Sequence, residues 1–253
     1  MADFLTVYWN MKTNPIHTGE TMNKHFLSGI KASIPACLGV IPVGISIGLL
    51  AIQAGLTGFE AIFMSAAVMA GSAQLMSISM ITQGASMSAI ILGTCFINLR
   101  HIVMSSSAMQ RVKGTTLFQR LLGAFALCDE SFAIYSLSED DSYPFLMGTN
   151  TALYATFVLS TVIGCLMTGF LPQIVIDSFG VAFYAAFLGM LIPSVKHNVP
   201  LIILVTATAA LNWLLQRFLP PSWSVILAMV LGAFAGVFLV EEESLPKKEV
   251  TDR

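Results

Sequence analysis

Arg100 stands inside the apolar run Met87–Met109, and Asp129-Glu130 inside the run Leu117–Leu137. A guanidinium at the middle of a bilayer costs roughly 2.5 to 3.5 kcal/mol on insertion scales, so it requires a partner or a wet cavity. Asp129 or Glu130, at similar depth on the following segment, is the natural candidate. The pair has two readings: an ion pair that fixes helix packing, or carboxylates that relay protons or hold an ammonium group. Thr94, Asn98, His101 and Ser105 recur at i, i+4, i+7 and i+11, which puts them on one helical stripe, whereas Arg100 lies about 200° from Asn98. One segment earlier comes a second polar knot, Ala70-Gly71-Ser72-Ala73-Gln74. Small residues there would serve close helix packing. Alternatively a Gly71-Ser72 break would expose backbone groups at half-helix ends, with Gln74 adding an amide. The positive N-terminal ends then suit a carboxylate and the C-terminal ends an ammonium, a match for an amino acid zwitterion.

These residues need apolar elements to hold them. The chain has 253 residues, 56% hydrophobic and 10% charged, with 14 Met and 17 Phe. A soluble domain carries roughly 25% charged residues. With a mean hydropathy of +0.80, the composition predicts an all-α, polytopic integral membrane bundle of about seven or eight segments, each near the ~20 residues that a crossing needs. The segments are expected at Ile34–Gln53, Phe59–Ile81, Met87–Met109, Leu117–Leu137, Phe145–Phe170, Val181–Val195, Val199–Leu215 and Ser222–Val240. Residues 32–240 form one transmembrane domain between a polar tail, 1–31, and a charged tail, 241–253. In the first segment Pro42 removes a backbone hydrogen bond and bends the helix, while Gly44 and Gly48 offer a small-xxx-small face. Glu60, at a segment start, reads as snorkelling or helix-terminus stabilisation.

Lys12, Lys24 and Lys31 place the N-terminus in the cytoplasm. If every segment crosses once, the loop carrying Arg111, Lys113 and Arg120 falls outside, against the same rule. The conflict disappears if residues 59–83 enter and leave on one side as two half-helices broken at Gly71-Ser72.

A net charge of −2 and the absence of any Lys/Arg-rich run exclude nucleic-acid binding. Cys37, Cys95, Cys128 and Cys165 sit in apolar segments without C-x-x-C spacing and read as packing residues, with no metal site. No cofactor motif is present, and no G-x-x-x-x-G-K-[ST] loop for ATP. An intramembrane hydrolase built on Ser72, His101 and Asp129 is a distant reading, since neither H-E-x-x-H nor G-x-S-x-G occurs. The protein is therefore expected not to be an enzyme. A channel or non-transporting scaffold is the alternative, though it has no use for Arg100, Asp129 and Glu130 at depth.

Taken together, Pro42-Val43-Gly44 with Gly48, Ala70-Gly71-Ser72-Ala73-Gln74, Asn98-Leu99-Arg100-His101 and Asp129-Glu130-Ser131-Phe132-Ala133 resemble the AzlC family over residues 30 to 240. That family is the large subunit of bacterial branched-chain amino acid exporters. The resemblance implies secondary export of Leu, Ile, Val and analogues such as Met across the bacterial inner membrane, with a small AzlD-type membrane subunit as partner. Pro42, Gly44, Gly71, Ser72, Gln74, Asn98 and His101 are then expected at the substrate, and Arg100, Asp129 and Glu130 in ion pairing or proton coupling.

Overall fold

The computed structural model describes residues 15–112, 114–172, 174–176, 178–179 and 199–239. The described residues hold helices and no strand, in the order α1 (Pro15–Gln53), α2 (Gly58–Ala67), α3 (Gly71–Thr82), α4 (Met87–Arg111), α5 (Leu117–Phe125), α6 (Asp129–Leu137), α7 (Tyr143–Met167), α8 (Val199–Leu215) and α9 (Pro221–Leu239). Three of these, Met22–Gln53 within α1, α4 and α7, are long and apolar enough to cross a bilayer. The protein is an all-α membrane bundle, as composition predicts. The expected segment Val181–Val195, residues 1–14 of the polar tail and the charged tail 241–253 lie outside the described residues.

α1 and α7 form the spine. Gly29 packs on Phe145 and Thr149, and Gly44 and Gly48 pack on Phe157 to Cys165, so the two helices run parallel. A Cβ added at Gly44 would stand 2.6 Å from Ser160 Cβ. α1 runs as one helix through Pro35 and Pro42, and the polar stretch from Pro15 to Lys31 is continuous with it. Ser46 Oγ donates to the Pro42 carbonyl at 2.8 Å, a hydroxyl bond back along the helix one turn after the proline.

α4 runs opposite to α1. Its C-terminal Arg111 bonds Asp141 and the carbonyls of Tyr135, Ser136 and Ser138, and neighbouring Asp140 pairs with His25 near the start of α1. Between these antiparallel helices the chain makes no net passage. α2 starts at the far end of α1, where Leu56 N donates to the Ala51 carbonyl, and descends until Ser65 meets Thr161. After a break at Val68–Ala70, α3 climbs back, with Gly71 against Val43 and Ile47, and Met76 and Met80 against Gly93 of α4. Residues 57–82 are thus a helical hairpin that returns to the end it entered from. The break lies at Val68–Ala70, and Gly71 and Ser72 open the second half-helix.

Leu117–Leu137, expected as one crossing, is a second hairpin. α5 leaves the Arg111 end, held on α7 by Asn150 Nδ2 donating to the Gly123 carbonyl at 2.9 Å. The chain breaks at Ala126–Cys128, and α6 goes back to Tyr135 beside Arg111. The physical reason for the break is a cap: Cys128 N donates to Ser131 Oγ at 2.9 Å, and Asp129 and Glu130 occupy the first turn, where the helix dipole favours carboxylates. Each hairpin also opens with a capping box, Thr57 with Glu60 and Thr116 with Gln119. Glu60 Oε2 accepts from Thr57 N and Oγ1, both at 2.7 Å.

At the Arg111 end Asp140 is a short-range anchor. Burial alone would raise its carboxyl, but hydrogen bonds from Ser142 and His25, with the imidazolium charge, outweigh it and hold the group below the ordinary carboxylate value.

Candidate functional site

The tips of the two hairpins meet halfway along the bundle. α3 points its N-terminus there without a side-chain cap, and α6 brings Asp129 and Glu130. Between them lies a cavity of about 40 Å³, lined by Val40 and Val43 of α1, Met69 to Ser72, Arg100 and His101 of α4, Cys128 to Glu130, and Phe157 of α7. That is room for about one water molecule.

Arg100 bridges the tips. Its Nη2 donates to Ser72 Oγ at 2.7 Å and lies 2.9 Å from Asp129 Oδ2. The two side chains remain 39% and 40% exposed in the isolated chain, so the pair is reachable from outside. Arg100 Nε and His101 Nε2 are buried without hydrogen-bond partners, which leaves donor or acceptor capacity next to the cavity. The walls are apolar, from Val40, Val43, Met69 and Phe157. One positive group, two carboxylates, a free helix N-terminus and an apolar wall can recognise a molecule carrying both charges and a hydrophobic side chain.

The structure brings together Gly71, Ser72, Arg100, His101, Asp129 and Glu130. It places the other expected residues elsewhere. Gln74 is buried behind the tip, with Nε2 donating to Ser65 Oγ at 3.2 Å and Oε1 unpaired. Gly44 serves the α1–α7 seam, and Pro42 accepts the Ser46 hydroxyl. Asn98 carries an unpaired, buried Oδ1 but does not line the cavity. Arg100 and His101, adjacent in sequence, share the cavity because it spans a wide arc of α4. Sequence reasoning missed Cys128, Met69 and Phe157 as lining residues. For Cys128 a signal existed: acidic residues in the first turn before an apolar run mark a helix start.

Site and fold together define an all-α membrane protein with a polar centre between two interrupted helices. No solved structure matches this chain. Residues 35–171 match the family described as AzlC protein, and the chain belongs to that family. Among curated proteins it is 34% identical over 173 residues to an uncharacterized membrane protein of Archaeoglobus fulgidus, covering 68% of this chain and 76% of the relative. It is 27% identical over 225 residues to the inner membrane protein YgaZ of Escherichia coli, covering 85% and 82%. Over 110 residues it is 30% identical to the branched-chain amino acid transport protein AzlC of Bacillus subtilis, covering 43% and 42%. These relatives support a role in membrane transport.

Proposed function

We propose that this protein is the large subunit of a secondary exporter that moves branched-chain and similar hydrophobic amino acids, Leu, Ile, Val and Met, across the bacterial inner membrane in a multi-pass arrangement. The observation that carries the reading is the Arg100–Asp129 pair with Ser72, set where two half-helix hairpins meet at mid-depth. The cargo carboxylate is taken by Arg100 and the N-terminus of α3, the ammonium by Asp129 and Glu130, and the side chain by Val40, Val43, Met69 and Phe157. Small-molecule sites occupy about 300 to 1,000 Å³, so the present cavity is a closed state that opens to load. The protein acts by binding and movement, not by catalysis.

Lys24, Lys31, Arg111 and Arg120 gather at one end of the bundle, which assigns that end to the cytoplasm. A partly exposed ion pair at mid-depth cannot face hydrocarbon; a small AzlD-type membrane subunit covering that flank accounts for it. Export against a gradient is driven by protons carried on Asp129 or Glu130, each worth about 2.3 kcal/mol per 100 mV. In proteoliposomes with both subunits, Asp129→Asn is expected to abolish gradient-driven leucine efflux while leaving assembly intact. Normal efflux by that variant overturns the coupling role, and absence of labelled leucine, valine and methionine counterflow by the unaltered protein overturns the function.

A further inference from the structure

Residues 57–82 and 116–137 are one device built twice. Each opens with a capping box, runs through a short half-helix, breaks over three residues and restarts. The N-caps of the restarted half-helices are Ala70 and Cys128, and the capping-box threonines are Thr57 and Thr116, so the two copies lie in nearly constant register. The helices that precede them, α1 and α4, are antiparallel, which makes the second copy inverted: one hairpin enters from the Gln53 end of the bundle, the other from the Arg111 end. Both N-caps are buried, Ala70 at 4% and Cys128 at 4% exposure, and both line the cavity. Arg100 is bonded to both tips through one nitrogen, to Ser72 on one and Asp129 on the other.

We propose that the two hairpins are the opposite gates of the transport path, and that Arg100 is the positioning residue that latches both until an amino acid carboxylate takes its guanidinium. This rests on the transporter reading above. A guanidinium offers a fork of donors that matches the two oxygens of a carboxylate. In the structure that fork is underused: Nη2 serves a neutral hydroxyl and one carboxylate oxygen, and Nε is unpaired. A cargo carboxylate completes the fork and displaces Ser72, which frees the α2–α3 tip. Asp129, released from Arg100, turns to the cargo ammonium, which frees the α5–α6 tip. Cargo recognition therefore requires the carboxylate as well as the side chain, and the same event unlocks the gates.

The test reads the tips directly. In vesicles holding the full chain and its partner, with Cys37, Cys95 and Cys165 replaced by alanine, native Cys128 reports the α5–α6 tip. In a second chain, Cys128→Ala with Ala70→Cys reports the α2–α3 tip. A membrane-impermeant thiol reagent is applied from each side. Losing one charge-assisted hydrogen bond is expected to raise labelling about tenfold. Ser72→Ala is expected to do so at Ala70→Cys alone, and Asp129→Asn at Cys128 alone. Leucine is expected to raise labelling in the parent chains, whereas leucinol, which lacks the carboxylate, leaves it unchanged. Arg100→Gln is expected to raise both signals and to abolish the leucine response; if it fails to fold, the two single-tip variants still decide. Labelling indifferent to Ser72→Ala and Asp129→Asn, or raised equally by leucinol, overturns the latch. Leucine counterflow with tip labelling indifferent to these changes sinks the latch and keeps the transporter. Tip labelling governed by them without any amino acid transport keeps the latch and sinks the cargo assignment.

Discussion

At the scale of single residues, the division between cavity-lining and structural groups follows from depth behind the hairpin tip. Ser72 is one residue past the start of α3 and reaches Arg100, while Gln74, half a turn further, points back at Ser65 and Thr161. The sequence knot Ala70 to Gln74 made both look alike, since residue type reveals polarity but not the exact place of a helix break. Gln74 is 2% exposed and its amide joins a three-member network on α2, α3 and α7. Gln74→Leu is therefore expected to leave the leucine KM within about twofold while lowering stability by roughly 1 kcal/mol, the usual worth of a hydrogen bond inside a membrane protein. Counterflow kinetics and detergent melting check the two halves. The Arg100 partner was legible, because a lone guanidinium at depth demands a carboxylate and only the next segment offers one. That Asp129 rather than Glu130 makes the bond depends on rotation of a short helix, which no spacing rule sets.

At the scale of elements, the α1–α7 seam is what glycine makes possible. Gly44 and Gly48 face Phe157 to Cys165 so closely that backbone touches backbone, whereas Gly39, on the same helix, has nothing within 4 Å of where a Cβ would stand. Overpacking of a tight interface costs about 1 to 3 kcal/mol. Gly44→Leu is accordingly expected to lower the melting temperature sharply and reduce the folded yield, while Gly39→Leu is expected to melt like the parent, as read by thermal denaturation in detergent. The small-xxx-small face at Gly44 and Gly48 was visible in the sequence; its partner helix, over a hundred residues away, was not. The second hairpin escaped the sequence reading for a different reason. Its break carries no glycine or proline, and is made instead by a Cys128–Ser131 cap and two acidic residues in a first turn, features that an apolar window of twenty residues averages away.

At the scale of the whole molecule, the parallel spine and antiparallel α4 force both interrupted helices to be hairpins. A single re-entrant segment would have left α7 antiparallel to α1. Lys24, Lys31, Arg111 and Arg120 then share one end, with Arg217 at the other, and the contradiction raised by the loop after Arg111 is resolved. Gln53→Cys and Gln83→Cys, at the two feet of the α2–α3 hairpin, are expected to label from the same face of the membrane; labelling from opposite faces would remove this topology. Hydropathy alone supplied the segments and the charge rule supplied the conflict, but the resolution needed tertiary contacts, since re-entry and crossing draw on the same apolar residues.

The two ends of the bundle are fastened by different forces. At the Arg111 end, ion pairs of Arg111 with Asp141 and His25 with Asp140, and the stacking of Arg111 over Tyr135, tie α1, α4, α6 and α7 together. At the Gln53 end, among the described residues, Met80, Ala89 and Ile226 pack together beside the turns at Gln83 to Ala89 and Pro220 to Trp223, while the charged groups there keep to local partners, Glu60 capping α2 and Arg217 lying over Trp213. Charged fastenings at a surface loosen with ionic strength and with acid, as Asp140 gains its proton below the usual carboxylate range. Apolar fastenings respond to the thickness of the surrounding lipid instead. The two ends of the molecule thus answer to different surroundings: salt and pH act on the Arg111 end, and the thickness of the bilayer acts on the Gln53 end.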